Sequence, residues 1–123
     1  MITRSTLSPQ IKFEVEKDKL KCITAKKYGI SLNQFDMIVF IDSSSESPTM
    51  KDLSKRCIVS TAAITGLIDR LEKLGIVIRK HSAEDRRKVL VHLSDTGLEI
   101  VGNYTDSLKK LSKSLKELEP QTA

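Results

Sequence analysis

The chain has 123 residues, 39% hydrophobic and 30% charged, a composition that fits one globular domain with a modest core. Its net charge of +5 fits a polyanionic partner, nucleic acid first and an anionic membrane surface second, or a soluble protein that is simply basic. The two cysteines, Cys22 and Cys57, form no Cys-x-x-Cys pair and no disulfide framework, the N-terminus "MITRSTLSPQIKFEVEKDKLK" is too charged for a signal-peptide core, and no apolar run approaches the ~20 residues that cross a bilayer, so a soluble, cytoplasmic protein is expected.

Ser8-Pro9 opens a first helix: Ser caps, and Pro suits the first helical position. This helix runs to about Lys27 and stops at Gly29. "DSSSESP" (Asp42 to Pro48) reads as a loop. It separates a second helix, capped by Ser31 with Gln34 three residues on and with Phe35, Ile38, Val39 and Phe40 as its apolar side, from a third that starts at Thr49. In the third helix Met50, Leu53 and Cys57 share one face, which assigns Cys57 to the core as a small buried thiol. Ser60 caps a fourth, with Ile64, Leu67, Ile68, Leu71 and Leu74 at helical spacing and Gly75 at its end.

The period then changes. "IVIRKH" and "KVLVHL" are β-branched and apolar, and "SAEDRR" between them makes a hairpin with a polar tip. Ser94 caps the last helix, expected to reach about Glu119. Its residues Val101, Tyr104, Leu108, Leu111, Leu115 and Leu118 alternate steps of three and four. So narrow a seam, with Lys109, Lys110, Lys113 and Lys116 around it, favours a partner helix over the domain's own core, although the ~3–4 heptads of a full coiled coil are not reached.

Two short capped helices followed by a hairpin make a helix-turn-helix with a wing. With Ile64 inward, the fourth helix turns Ala62, Thr65, Gly66, Asp69 and Lys73 outward, with Thr61 and Arg70 on the flanks. Small polar first turns suit a helix that enters a major groove end-on. Ala62 and Thr65 can touch a thymine methyl, Thr61 a base or phosphate, Ser60 a phosphate with the first-turn N–H groups, and Arg70 a phosphate or base. An ordinary amphipathic helix with a solvated face has the same spacing.

The hairpin holds five Arg or Lys from Arg79 to Lys88, opposed by Glu84 and Asp85. Arg79, Lys80 and Arg86 can lay charge along a DNA backbone, and an arginine at the tip can enter the minor groove. Asp85 is placed to hold the Arg87 guanidinium in advance. A solvated charged turn with weak surface pairs is the alternative.

The run from Ser31 to Gly97 resembles the MarR family of winged helix-turn-helix transcription regulators. "ISLNQFDMIVFI" is similar to the family's second helix, "TMKDLSKRCIVSTAAITGLIDRLEKLGIVIRK" to its helix-turn-helix and first wing strand, and "DRRKVLVHLSDTG" to its wing signature. The compact length also resembles the SarA-type branch. The resemblance implies a mostly α fold with a small β-hairpin wing, residues 1–30 and 94–123 forming dimerisation helices around a DNA-binding domain at 31–93. It implies a homodimer on a pseudo-palindromic operator in double-stranded DNA, more a repressor than an activator. Ser60, Thr61, Ala62, Thr65 and Arg70 take the recognition-helix contacts, Arg87 the minor-groove arginine, and Asp85 the acid that orients it. Ile58 stands where the family often has Gly, and the single C-terminal helix leaves no clear room for the family's second dimerising helix.

Cys22 is the more suitable of the two thiols for a redox role. His81 and His92, without a third ligand, make a weak metal signal; His81 suits phosphate contact and His92 a strand face. No nucleophile-base-acid set or phosphate-binding Gly loop occurs, so no enzyme and no cofactor is expected. Phe13, Tyr28, Phe35, Phe40 and Tyr104 can line an effector pocket or fill the core, and core is the preferred reading; no motif identifies an effector. The competing class is a winged-helix module that docks a protein through the Leu seam and basic face.

Overall fold

A computed structural model describes residues 8–57 and 59–118, with side chains as far as residue 116. Ile58, the side chain of Leu118 and Glu119 therefore lie outside the described residues. The elements are α1 (Pro9–Lys27), α2 (Leu32–Ser43), α3 (Met50–Cys57), α4 (Thr61–Lys73), β1 (Val77–His81), β2 (Val89–Leu93) and α5 (Asp95–Leu118).

Local chemistry sets most of these boundaries. Ser8 is extended and its Oγ accepts from the Ile11 N–H, with Pro9 at the first helical position. Ser60 repeats the arrangement, accepting from the Ala63 N–H at 3.2 Å. Thr49 and Asp52 form a reciprocal box: the Thr49 N–H donates to Asp52 Oδ2 and the Asp52 N–H to Thr49 Oγ1, each at 3.0 Å. Gly29 and Gly75 take φ of 68° and 75°, left-handed geometry that lets the chain leave α1 and α4 without a Cβ clash.

The described residues form two compact units, residues 33–101 and residues 8–32 with 102–118. The division falls inside α5, after Val101, where the sequence reading places a boundary at Ser94. The first turns of α5 go with the central unit because Ile100 and Val101 are buried.

The core of the central unit draws on every element. Phe35, Ile38 and Ile41 come from α2, Leu53 from α3, and Ile64, Ile68 and Leu71 from α4, joined by Ile76, Val77 and Val91. Ile41 and Met37 are buried while the expected Val39 and Phe40 are only half-buried. Cys57 is exposed, a correction to its assignment as a core thiol. Helix α3 lasts only eight residues, so Leu53 fills the core and position 57 falls at the end, past that contact.

β1 and β2 pair antiparallel, from Val77 opposite Leu93 to His81 opposite Val89. A third segment joins them. The end of the Ser-rich loop bridges Thr49 to Leu90, and the Val91 N–H donates to the Pro48 carbonyl at 2.9 Å. Strand β2 is thereby tied to the start of α3.

In the other unit, α1 and the second part of α5 are antiparallel neighbours. Asn103 Nδ2 donates to the Tyr28 hydroxyl at one end, and Phe13 and Leu115 share a cleft at the other. The seam residues Leu108, Leu111 and Leu115 are half-buried.

Where β2 returns into α5, backbones meet closely. The Ile76 carbonyl accepts from the Ser94 N–H and Oγ, both at 2.9 Å, and Ser94 Oγ accepts from the Gly97 N–H. A Cβ on Gly97 would lie 2.5 Å from the Ile76 carbonyl oxygen. Gly97→Ala should therefore destabilise the fold by roughly 1–3 kcal/mol, as overpacking does. Chemical denaturation monitored by circular dichroism measures it, and an unchanged midpoint would contradict the close approach.

Candidate nucleic-acid interface

Helix α4 buries Ile64, Ile68 and Leu71, which turns the opposite side to solvent. Ser60, Thr61, Ala62 and Arg70 are exposed and Thr65 is half-buried. The first two turns therefore present a low relief of small side chains, with an arginine further along. Thr65 Oγ1 donates to the Thr61 carbonyl at 2.8 Å, so the methyl and the oxygen lone pairs are what Thr65 can offer a partner. The turn before α4 is pinned from α3: Ser54 Oγ donates to the Val59 carbonyl at 2.7 Å and the Val59 N–H to the Ser54 carbonyl.

The wing tip is built rather than loose. Ser82 Oγ accepts from the N–H groups of Glu84 and Asp85, and the Ser82 N–H donates to the Lys88 carbonyl at 2.9 Å. Asp85 then accepts three bonds from Arg87: the backbone N–H and Nε reach Oδ1 at 3.1 and 3.0 Å, and a terminal nitrogen reaches Oδ2 at 3.2 Å. The Arg87 side chain is 90% exposed, yet both prongs of its guanidinium are held. These bonds hold the Asp85 carboxyl below the usual carboxylate range. His81 belongs to the same tip: its Nδ1 donates to the Arg86 carbonyl at 2.8 Å, since a carbonyl only accepts. His92 lies on β2 with Nδ1 at 2.7 Å from Ser47 Oγ.

Arg79 is placed differently from the other cations expected at the interface. Strand alternation puts it on the same face as buried Val77, and its guanidinium turns to α4. It donates to Asp69 Oδ1 at 2.5 Å and to Glu72 Oε1 at 2.9 Å, with Nε 3.4 Å from Glu72 Oε2. Only 28% of the side chain is exposed. The hydrogen bonds from Arg79 lower the Glu72 carboxyl's pKa, and those from Glu72 and then Asp69 raise that of Arg79. Lys80 points to the opposite, exposed face, and Arg86 is exposed at the tip. The structure thus groups the expected residues along α4 and at the wing tip and takes Arg79 out of both groups. The pairing was readable in outline: Asp69 and Glu72 are one helical turn apart, and alternation from Val77 sends Arg79 inward.

Among the described residues no cluster of three His, Cys, Asp or Glu is placed to hold a metal, and no helix is long and apolar enough to cross a membrane.

Two short helices, a pinned turn, an outward-facing second helix and a hairpin bonded to its base define a winged helix-turn-helix. Residues 28–88 match the model of the MarR family. The chain is 35% identical over 96 residues to the uncharacterised HTH-type transcriptional regulator YfiV of Bacillus subtilis, a match covering 77% of this chain and 59% of that one. It is 30% identical over 121 residues to the HTH-type transcriptional regulator SarZ of Staphylococcus haemolyticus, covering 94% of this chain and 79% of SarZ. The fold superposes on a DNA complex of MepR from S. aureus with a TM-score of 0.77 at 18% identity, over 86% of this chain and 80% of MepR. The chain belongs to the MarR family, and it spans about three-fifths of the length of YfiV.

The Asp85–Arg87 pair has a defined pH response. Its folded-state pKa is depressed, so the pair's contribution is complete above the ordinary carboxyl value of 3.8 and is lost as pH falls through the lower folded value. The tip should keep its geometry through neutral and mildly acidic pH. Carbon-detected NMR titration of the Asp85 carboxyl should give a midpoint below 3.8; a midpoint at or above it would mean that the pair does not form in solution.

Proposed function

We propose that this chain is a DNA-binding transcription regulator, a repressor that acts by occupying a promoter as a homodimer on a pseudo-palindromic operator. The observation that carries this reading is Arg87: an almost fully exposed guanidinium, locked by two prongs to Asp85 at the tip of a braced wing. A flexible arginine loses conformational freedom when it binds, whereas one held beforehand loses less. Such a probe suits the minor groove, where negative potential is concentrated.

In this reading Ser60, Thr61, Ala62, Thr65 and Arg70 meet the major groove and its phosphates. Lys80 and Arg86 follow the backbone, Arg87 enters the minor groove, and Asp85 positions it. Arg79 braces the wing against α4 instead of contacting phosphate, because two carboxylates already neutralise it. The MarR membership and the likeness to a DNA-bound structure support the same assignment. Pairing of two copies falls to α1 and α5: Ile11 and Ile23 of α1 are 49% and 64% exposed, and the seam of α5 is half-covered. Two such readers would enter successive major grooves about 34 Å apart. The site of action is the cytoplasm, where a regulator of this family meets its operator, and the chemistry is binding, not catalysis.

Selection from a random duplex pool should yield a palindromic site whose affinity falls steeply with salt, with a log–log slope near −0.9 per phosphate contacted. No binding to any duplex at low salt, or flat salt dependence, would sink the assignment. Arg87→Ala should cost roughly 1–3 kcal/mol of operator affinity, and Asp85→Ala less in the same direction. Tighter binding by Asp85→Ala would show simple charge repulsion in place of positioning.

A further inference from the structure

The charge of this chain is unevenly placed. Residues 33–101, which carry α3, α4 and the wing, hold ten Lys and Arg against ten Asp and Glu, so the whole excess of +5 lies in the other segments. A neutral unit can hold DNA phosphates only through local concentrations of cations. Several of its arginines are already engaged. Arg79 is paired with Asp69 and Glu72, Arg87 with Asp85, and Arg56 sits over the Phe40 ring at 5.3 Å.

One place gathers cations. An open cleft of about 420 Å³ lies between the first turns of α3 and the start of β2. Lys51 and Lys55 line it from α3 and Lys88 from the end of the wing loop, with Thr49 and Asp52 beside them. Three lysines line the cleft beside one carboxylate, and that carboxylate accepts from the Thr49 N–H. Lys51 and Lys55 are one helical turn apart on the same face, where like charges repel, and Lys88 adds a third from another element. The bonds from Thr49, and then the charges of Lys55 and Lys88, lower the Asp52 carboxyl's pKa, so both elements bear on one point. The Thr49–Leu90 bridge and the bond from Val91 to Pro48 fix the start of α3 to β2, so the cluster is assembled in advance.

We propose that this cleft seats a backbone phosphate of the duplex, with Lys51, Lys55 and Lys88 as its ligands, apart from the recognition helix and from the Arg87 probe. The inference rests on the DNA-binding reading above. In a helix-turn-helix the second helix enters the major groove while the first crosses the backbone, which brings the first turns of α3 to a phosphodiester. Ammonium groups act as compact point charges and suit that ligand. An anion there also relieves the repulsion among the three lysines.

The test is the salt dependence of binding to the selected duplex, comparing the parent with Lys55→Gln/Lys88→Gln and with Lys51→Gln. All three lysines are exposed, and the double variant should melt no lower than the parent. The magnitude of the log–log slope should fall by about 1.8 in the double variant, roughly 0.9 for the one phosphate seat lost in each of two protomers, and by less in the single. Affinity should drop about tenfold or more while the preferred sequence stays the same. Parent-like slope and affinity in the double variant would overturn the phosphate seat and leave the DNA-binding reading standing. A parent that binds no duplex would overturn both. In a further arm, inorganic phosphate is titrated into the parent at constant ionic strength. Saturable amide shifts over residues 49–55, with the duplex slope unchanged in the double variant, would make this a free-anion site and overturn its assignment to DNA.

Discussion

The backbone of Ile76 is the point on which the central unit closes. Its N–H donates to the Leu71 carbonyl as the chain leaves α4, and its carbonyl accepts twice from Ser94 as the chain enters α5. Gly97 presses against the same carbonyl with no room for a side chain. One residue thus joins the exit of the outward-facing helix, the start of the wing and the beginning of the long helix. Buried peptide groups must be paired, and here the pairing links elements far apart in the chain. A shift at this point would move α4 and the wing together.

The wing is held along its strands and at its tip by different means. Along its strands, β2 is bonded to Pro48 and Thr49, and Arg79 of β1 is clamped by two carboxylates of α4. At its tip, Ser82, His81 and Asp85 make local bonds that close the loop and aim Arg87. Surface ion pairs contribute little to stability by themselves. Their value here is geometric, because two-pronged arginine pairs fix orientation as well as charge. The unit carries no net charge, with cations at the tip and in the α3 cleft and Arg79 neutralised within the fold.

The order of helices and strands, the capping serines at 8, 60 and 94 and the glycine stops at 29 and 75 were legible in the sequence, because each depends on residues within a few positions of one another. The Asp85–Arg87 pair was legible for the same reason, since the partners are two residues apart. The burial of Cys57 was misread because its spacing was extended to the last residue of a two-turn helix, beyond the contact that Leu53 makes with the core. The pairing of Arg79 with Asp69 and Glu72 was not drawn from the sequence, because basic residues in a hairpin were counted without asking which face of the strand each occupied.

What the sequence alone determined is therefore the local architecture: a winged helix-turn-helix between two longer helices, and a wing tip that orients its own arginine. Tertiary structure decided the rest. It turned Arg79 inward to α4, joined the Ser-rich loop to β2, left the thiol of Cys57 in solvent, and brought Lys88 beside Lys51 and Lys55. Those outcomes depend on residues from seven to more than forty positions apart, which meet only when packing of the core sets the register between elements.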